Sequence, residues 1–256
     1  MSVRELFELG GKVALITGGS RGLGLQIATG LGEMGAKIAI SARMPDELEE
    51  AKSQLEKHGI EALTVVNDLS EPEHAAALVE PVVAHFGKID ILVNNAGTSW
   101  GAPAEQLPLD AWNKVMTLNA TSVFALSQAV ANRCFIPSRS GNIIVVASVA
   151  ALRTSMHMKA VPYFASKAAA LHLVRALAGE WGHYGIRVNA ICPGFFPSKM
   201  ASGLLEKISA SVVASTPLGR IGNDTDLQGA AVYLASDASR HVTGQYIVVD
   251  GGASIA

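Results

Sequence analysis

Charge, cysteine and long apolar runs are all scarce in this 256-residue sequence. Only 16% of its residues are charged, and 20 basic side chains nearly balance 22 acidic ones for a formal net charge of -2. No basic stretch is available to neutralise a polymer of phosphates, so nucleic acid is not an expected partner. The two cysteines, Cys134 and Cys192, lack the paired spacing of a zinc site or redox motif. They read as small buried apolar residues in a reducing compartment, and no metal is expected. No apolar run reaches the roughly 18 residues of a membrane span. The opening MSVRELFELGGK lacks a signal peptide's apolar core, so the expectation is a cytoplasmic protein with no membrane partner. No linker or low-complexity tract interrupts the chain, and residues 1–256 are expected to form a single domain.

What is abundant is apolar: 49% of the sequence, as suits a sheet buried on both faces. Short β-branched runs alternate with longer amphipathic segments. Strands are expected at Lys12 to Thr17, Lys37 to Ala42, Ala62 to Asn67, Ile89 to Asn94, Asn142 to Ala147, Arg187 to Ile191 and Tyr246 to Val249. Helices between them are punctuated by Pro45 with Asp46 and Glu47 in a first turn, by Gly59 and by Gly87. Parallel strands need crossovers, and crossovers are right-handed, so this βα alternation predicts an α/β fold: a doubly wound parallel sheet covered by helices on both faces.

The first expected strand runs into Thr17-Gly18-Gly19-Ser20-Arg21-Gly22-Leu23-Gly24, after which a helix opens. A dinucleotide pyrophosphate sits on such exposed amides, where a Cβ would block its approach. The same residues also fit a second pattern. Gly18-x-Ser20-x-Gly22 matches the nucleophile elbow of serine hydrolases, with Asp237 and His241 later in a permissible order. The second strand ends Ile40-Ser41-Ala42-Arg43, with alanine where an NAD-selecting fold places an acid. Arg43 and Arg21 together could clamp a 2′-phosphate, which favours NADP(H) while leaving NAD(H) open. The competing account of Arg43 is a surface pair with Asp46 or Glu47.

Ser148 follows the expected strand Asn142 to Ala147, at the end where open α/β sheets bind ligands. Tyr163 and Lys167 are four apart in Tyr-Phe-Ala-Ser-Lys and share one helix face. An ammonium near the phenol is expected to lower it from its usual value of about 10 toward neutrality. Tyr163 could then pass a proton to or from a substrate oxygen that Ser148 holds.

Thr17-Gly18-x-x-x-Gly22-x-Gly24, Asn94-Asn95-Ala96-Gly97, Ser148, Tyr163-x-x-x-Lys167, Pro193-Gly194 and the closing Val249-Asp250-Gly251-Gly252 together resemble the short-chain dehydrogenase/reductase family over nearly the whole chain. The resemblance is nearest to bacterial gluconate 5-dehydrogenase-like and 3-oxoacyl-reductase-like members. It implies a Rossmann-type fold, a small-molecule carbonyl or alcohol substrate, and a catalytic set of Asn119, Ser148, Tyr163 and Lys167. Asn119 would complete a water-linked proton relay through Lys167. The cofactor contacts it implies are Gly18, Ser20, Arg21, Gly22, Leu23, Gly24, Ser41, Arg43, Asp68, Leu69, Asn95, Ala96, Gly97, Tyr163, Lys167, Pro193, Gly194, Phe196 and Ser198. The family pattern has threonine where this chain has Ser198, and the hydroxyl carries that role over. The interval from Ser148 to Tyr163 is about two residues longer than in common members. Residues 199–216 are expected to form a substrate lid. The small-residue-rich segments Pro108 to Arg133 and Pro162 to Tyr184, together with the resemblance, imply a homotetramer. A cofactor-binding subunit without catalysis is the remaining alternative, and the intact Asn119, Ser148, Tyr163 and Lys167 speak against it.

Overall fold

The computed structural model describes residues 2–155, 158–197 and 211–256. Strands β1 (Val13–Thr17), β2 (Lys37–Ala42), β3 (Ala62–Val66), β4 (Ile91–Asn94), β5 (Gly141–Val146), β6 (Ile186–Pro193) and β7 (Tyr246–Val249) form one parallel sheet. Their order is β3-β2-β1-β4-β5-β6-β7. Every expected strand is present. β4 starts later than expected, after Asp90, whose Oδ2 accepts from the Val13 amide at 2.9 Å. β6 runs past Ile191 to Pro193, which pairs in register with Val249.

The helices are α1 (Val3–Phe7), α2 (Gly22–Glu33), α3 (Pro45–Lys57), α4 (Ala75–Phe86), α5 (Leu109–Met116), α6 (Ser122–Val130), α7 (Ile136–Ser138), α8 (Val161–Trp181) and α9 (Gln228–Ala235). Alternation along each strand assigns side chains to two faces. Leu15, Leu92, Ile143 and Val145 point to the side covered by α4, α6 and α8. Ile16, Val93, Ile144 and Val146 point to the side covered by α2, α3 and α9. Both faces are therefore sealed, and the strands read as nearly continuous apolar runs for that reason.

The expected helix from Pro108 to Arg133 is interrupted. Two π-turns, Thr117–Thr121 and Ala131–Phe135, separate α5, α6 and α7. Of the two cysteines, Cys192 is buried but Cys134 is only half-buried. None of the described helices is long and apolar enough to cross a membrane.

Candidate functional site

The chain builds β1, β2 and β3 outward on one side, then returns to place β4 on the other side of β1. A crevice opens where the strand order reverses, beyond the carboxyl ends of β1 and β4. Gly18 and Gly22 sit there in the left-handed region, at φ +62° and +54°. A Cβ on Gly24 would lie 2.3 Å from the Gly18 carbonyl oxygen, so only glycine lets α2 begin this close to the strand. Arg21 caps α2 without a side-chain hydrogen bond to the first turn. The leading amides of α2 thus face the crevice as a ready anion cradle. These features fit a dinucleotide pyrophosphate.

The second wall is fastened to this loop through one hydroxyl. Thr17 Oγ1 accepts from the amides of Asn95 and Ala96, each at 3.0 Å. Asn95 Nδ2 returns the contact by donating to the carbonyls of Thr17 at 2.8 Å and Gly18 at 3.1 Å. Residue 97 has little room: a Cβ there would lie 3.2 Å from Asn119 Oδ1 and 3.6 Å from Lys167 Nζ. Asp68 and Leu69 follow β3 at the same edge. Burial raises the Asp68 carboxyl, but hydrogen bonds from Ser70 and the charges of Arg43 and His74 outweigh it and hold the group below the usual range. The Leu69 carbonyl accepts from the Ser122 hydroxyl.

At the tip of β2, Ser41 is buried and its carbonyl accepts from the Gly19 amide at 3.2 Å. Arg43 is exposed just beyond it. Glu47 pairs with the Arg21 guanidinium, whereas the surface pair considered from sequence joined Arg43 to Asp46 or Glu47. The Ser20 hydroxyl also reaches Glu47, at 3.5 Å. The serine-elbow alternative does not assemble. Ser20 lies at the carboxyl edge of the sheet, while Asp237 and His241 line a concavity at the amino edge with Lys12, Gly141 and Ile186.

Ser148, Tyr163, Lys167 and Asn119 converge on the other side of the crevice. Ser148 Oγ accepts from the Ala150 amide at 3.1 Å, and its side chain is close enough to the Tyr163 phenol to act on it. Lys167 Nζ donates to the Val146 carbonyl at 2.7 Å and lies 5.8 Å from the Tyr163 ring centroid. The expected lowering of the phenol is not found. Burial pushes Tyr163 up, and the Ser148 side chain offsets this only in part. Burial also takes Lys167 down to about 8, so in this closed pocket desolvation outweighs the attraction anticipated from spacing.

Asn119 sits in the first π-turn, 1% exposed. Its Oδ1 accepts from the Thr98 amide at 2.8 Å, and its Nδ2 donates to the Thr98 carbonyl at 2.8 Å and to Ser166 Oγ at 2.9 Å. Ser166 in turn donates to the Tyr163 carbonyl at 2.9 Å. The Asn119 amide therefore ties the segment after Gly97 to the helix that carries Tyr163 and Lys167. Because Ser122 donates to the Thr117 carbonyl, the carbonyl register slips by one residue around Asn119.

Pro193 and Gly194 end β6, where Gly194 donates to the Val249 carbonyl at 2.9 Å. A Cβ on Gly194 would meet Asp250 at 2.7 Å. Phe196 is buried in the core shared with Leu227 and Ala231, its ring against Gly222. Ser198 and residues 199–210 of the expected lid lie outside the described residues. Of the remaining lid residues, Val212 and Thr216 are buried. Across the crevice, the Ala102 amide donates to the Lys159 carbonyl at 2.7 Å, and Trp100 is 43% exposed beside that contact. Among the described residues no group of three His, Cys, Asp or Glu side chains could hold a metal ion.

Sequence reasoning gave no role to Thr17 or Ser166, and offered Glu47 only as a surface partner of Arg43. Thr17 and Ser166 were inside quoted motifs, and a hydroxyl that is certain to be buried at a strand end or helix face is itself a signal that it has partners.

The family model described as enoyl-(acyl carrier protein) reductase matches residues 18–254. The chain is 38% identical to gluconate 5-dehydrogenase of Gluconobacter oxydans, over 100% of both chains. It is 39% identical to the rhamnolipid-biosynthesis 3-oxoacyl-[acyl-carrier-protein] reductase of Pseudomonas aeruginosa, over 96% of this chain and 97% of that one. Among solved structures, gluconate 5-dehydrogenase from Burkholderia cenocepacia in complex with NADP and tartrate superposes with a TM-score of 0.93 at 36% identity, covering 100% of both chains. A short-chain type dehydrogenase/reductase from Mycobacterium marinum gives a TM-score of 0.96 at 35% identity over the full length of each.

Proposed function

The chain belongs to the short-chain dehydrogenase/reductase family, and on that premise we propose that it is an NADP(H)-dependent oxidoreductase interconverting a carbonyl and a secondary alcohol on a small hydroxy or keto acid of the gluconate type. The observation that carries the reading is the convergence of Ser148, Tyr163 and Lys167 beside a glycine cradle too tight for any Cβ. The relatives' named substrates supply its substrate class.

When bound, the nicotinamide supplies or accepts the hydride. Gly18, Gly22, Leu23 and Gly24 hold the pyrophosphate on the α2 amides, with Asn95, Ala96, Gly97, Pro193 and Gly194 along the cleft. Ser41, Asp68 and Leu69 border the adenosine, and Arg21 and Arg43 face its 2′-phosphate. Ser148 holds the substrate oxygen. Tyr163, a phenol that is protonated at neutral pH and that burial pushes further up, donates its proton to that oxygen as the carbonyl is reduced, and takes it back in the oxidation. Lys167, beside the phenol, would bond the nicotinamide ribose, and Asn119 holds the two walls in register. In assembly, the half-exposed Phe124 and Val161 and the exposed Leu109, on the outer surfaces of α6, α8 and α5, support a homotetramer.

Fluorescence titration of NADPH followed by turnover of a panel of keto-sugar acids, 3-oxoacyl thioesters and simple ketones tests this. Tyr163→Phe is expected to retain NADPH affinity while kcat falls about 10²–10⁴-fold. A variant with near wild-type turnover would remove Tyr163 from its role, and a folded protein that binds no nicotinamide nucleotide would remove the cofactor.

A further inference from the structure

We infer that Glu47 is a specificity-determining residue: it pairs with the Arg21 guanidinium, so that a 2′-phosphate must draw that arginine away from it, and it thereby narrows the preference for NADPH over NADH. The inference rests on the NADP(H) reading above.

The geometry brings three elements together. Arg21 leaves the loop between β1 and α2, and that loop is bound to the tip of β2 through the Gly19 amide and the Ser41 carbonyl at 3.2 Å. An adenosine ribose whose pyrophosphate rests on α2 lies over this junction. Glu47 rises from the first turn of α3, directly after that tip, and its carboxylate pairs with Arg21 and accepts from the Ser20 hydroxyl. A first-turn carboxylate is favoured as an anion by the helix dipole. Its side chain is 28% exposed against 47% for Arg21, so the acid is the better-anchored partner and the arginine is the one free to swing.

The consequence differs between the two cofactors. NADH carries a 2′-hydroxyl, which makes no demand on Arg21 and leaves the pair closed. NADPH brings a dianion whose oxygens suit both Arg21 and Arg43. To reach it Arg21 must leave Glu47, and the carboxylate then stands near a like charge. Both penalties fall on NADPH alone.

The test measures dissociation constants of NADPH, NADH and 2′,5′-ADP for the full chain and for Glu47→Gln, Glu49→Gln and Arg21→Ala. Glu49 is an exposed acid on the same helix, so its variant controls for loss of one negative charge. Glu47→Gln is expected to tighten NADPH and 2′,5′-ADP about three- to fivefold, the scale of a partly exposed ion pair, and to raise the NADPH-to-NADH affinity ratio accordingly. Unchanged or weaker NADPH binding in Glu47→Gln, or an equal gain in Glu49→Gln, overturns the inference. Its failure is separable from that of the reading beneath it. If the wild type binds NADPH and Arg21→Ala loses it, yet Glu47→Gln changes nothing, Glu47 alone is wrong. If the wild type binds NADH but neither 2′-phosphorylated ligand, the NADP(H) assignment falls and the role of Glu47 falls with it.

Discussion

Lys167 carries an ammonium into a place that water hardly reaches. Burial takes it down to about 8, while an unfolded lysine titrates at about 10.4. Below pH 8 the folded state must therefore hold a proton at a cost. Between pH 8 and 10.4 the unfolded chain binds the proton and the folded chain does not, so stability rises with pH through that window. Lys167→Met should abolish turnover yet make the ligand-free protein more stable at pH 7 by roughly 1–3 kcal/mol. Its margin over wild type should shrink as the pH approaches 10.4. Urea unfolding of both proteins at pH 7 and pH 9.5 measures this, and a variant less stable at pH 7 would contradict it. The pairing of Tyr163 with Lys167 was legible from four-residue spacing, because periodicity alone puts them on one face. The upward direction of the phenol was not, since desolvation depends on what the rest of the chain packs over the site.

Among the elements, the β1 and β4 loops are joined by one hydroxyl and one carboxamide, those of Thr17 and Asn95. Thr17 Oγ1 serves the amides of both Asn95 and Ala96, and Thr17 itself is 1% exposed. Thr17→Val keeps the shape and strands two amides, which should cost about 2–4 kcal/mol. NADPH binding should weaken with it, because the two walls of the cradle are then fastened only from the Asn95 side. Thermal unfolding and NADPH titration of the variant check both effects, and an unaltered Tm would refute the fastening role. The strands were readable because parallel strands sealed on both faces are apolar throughout, and their boundaries with Gly and Pro are sharp. The π-turns were not readable. Leu118 and Val123 stand five apart where an ordinary helix repeats at three or four, but a single lengthened interval in a segment rich in small residues does not by itself mark the slip at which Asn119 is presented. The partner of Arg21 was missed for a related reason: Glu47 is distant from it in sequence, and only the packing of α3 beside the β1–α2 loop brings them together.

For the whole molecule, the parallel direction of all seven strands puts the nucleotide cradle and the Ser148–Tyr163–Lys167 group on one edge of the sheet. With Leu109 71% exposed, Phe124 41% and Val161 43%, the outer surfaces of the central helices suit a partner copy. Light scattering after size-exclusion chromatography should give a mass near four times the 26.6 kDa chain. Phe124→Asp should shift the protein to smaller species, and a wild-type monomer at micromolar concentration would refute the tetramer. The two halves of the crevice are also held very differently. The cradle side is stitched through Thr17 and Asn95, and Asn119 and Ser166 tie the segment after Gly97 to α8, whereas the outer wall meets across the Ala102 amide and the Lys159 carbonyl. That asymmetry is a form of modularity for laboratory evolution. Libraries confined to residues 98–104 and 152–160 can be diversified to recruit new substrates, with the nucleotide half acting as a conserved chassis.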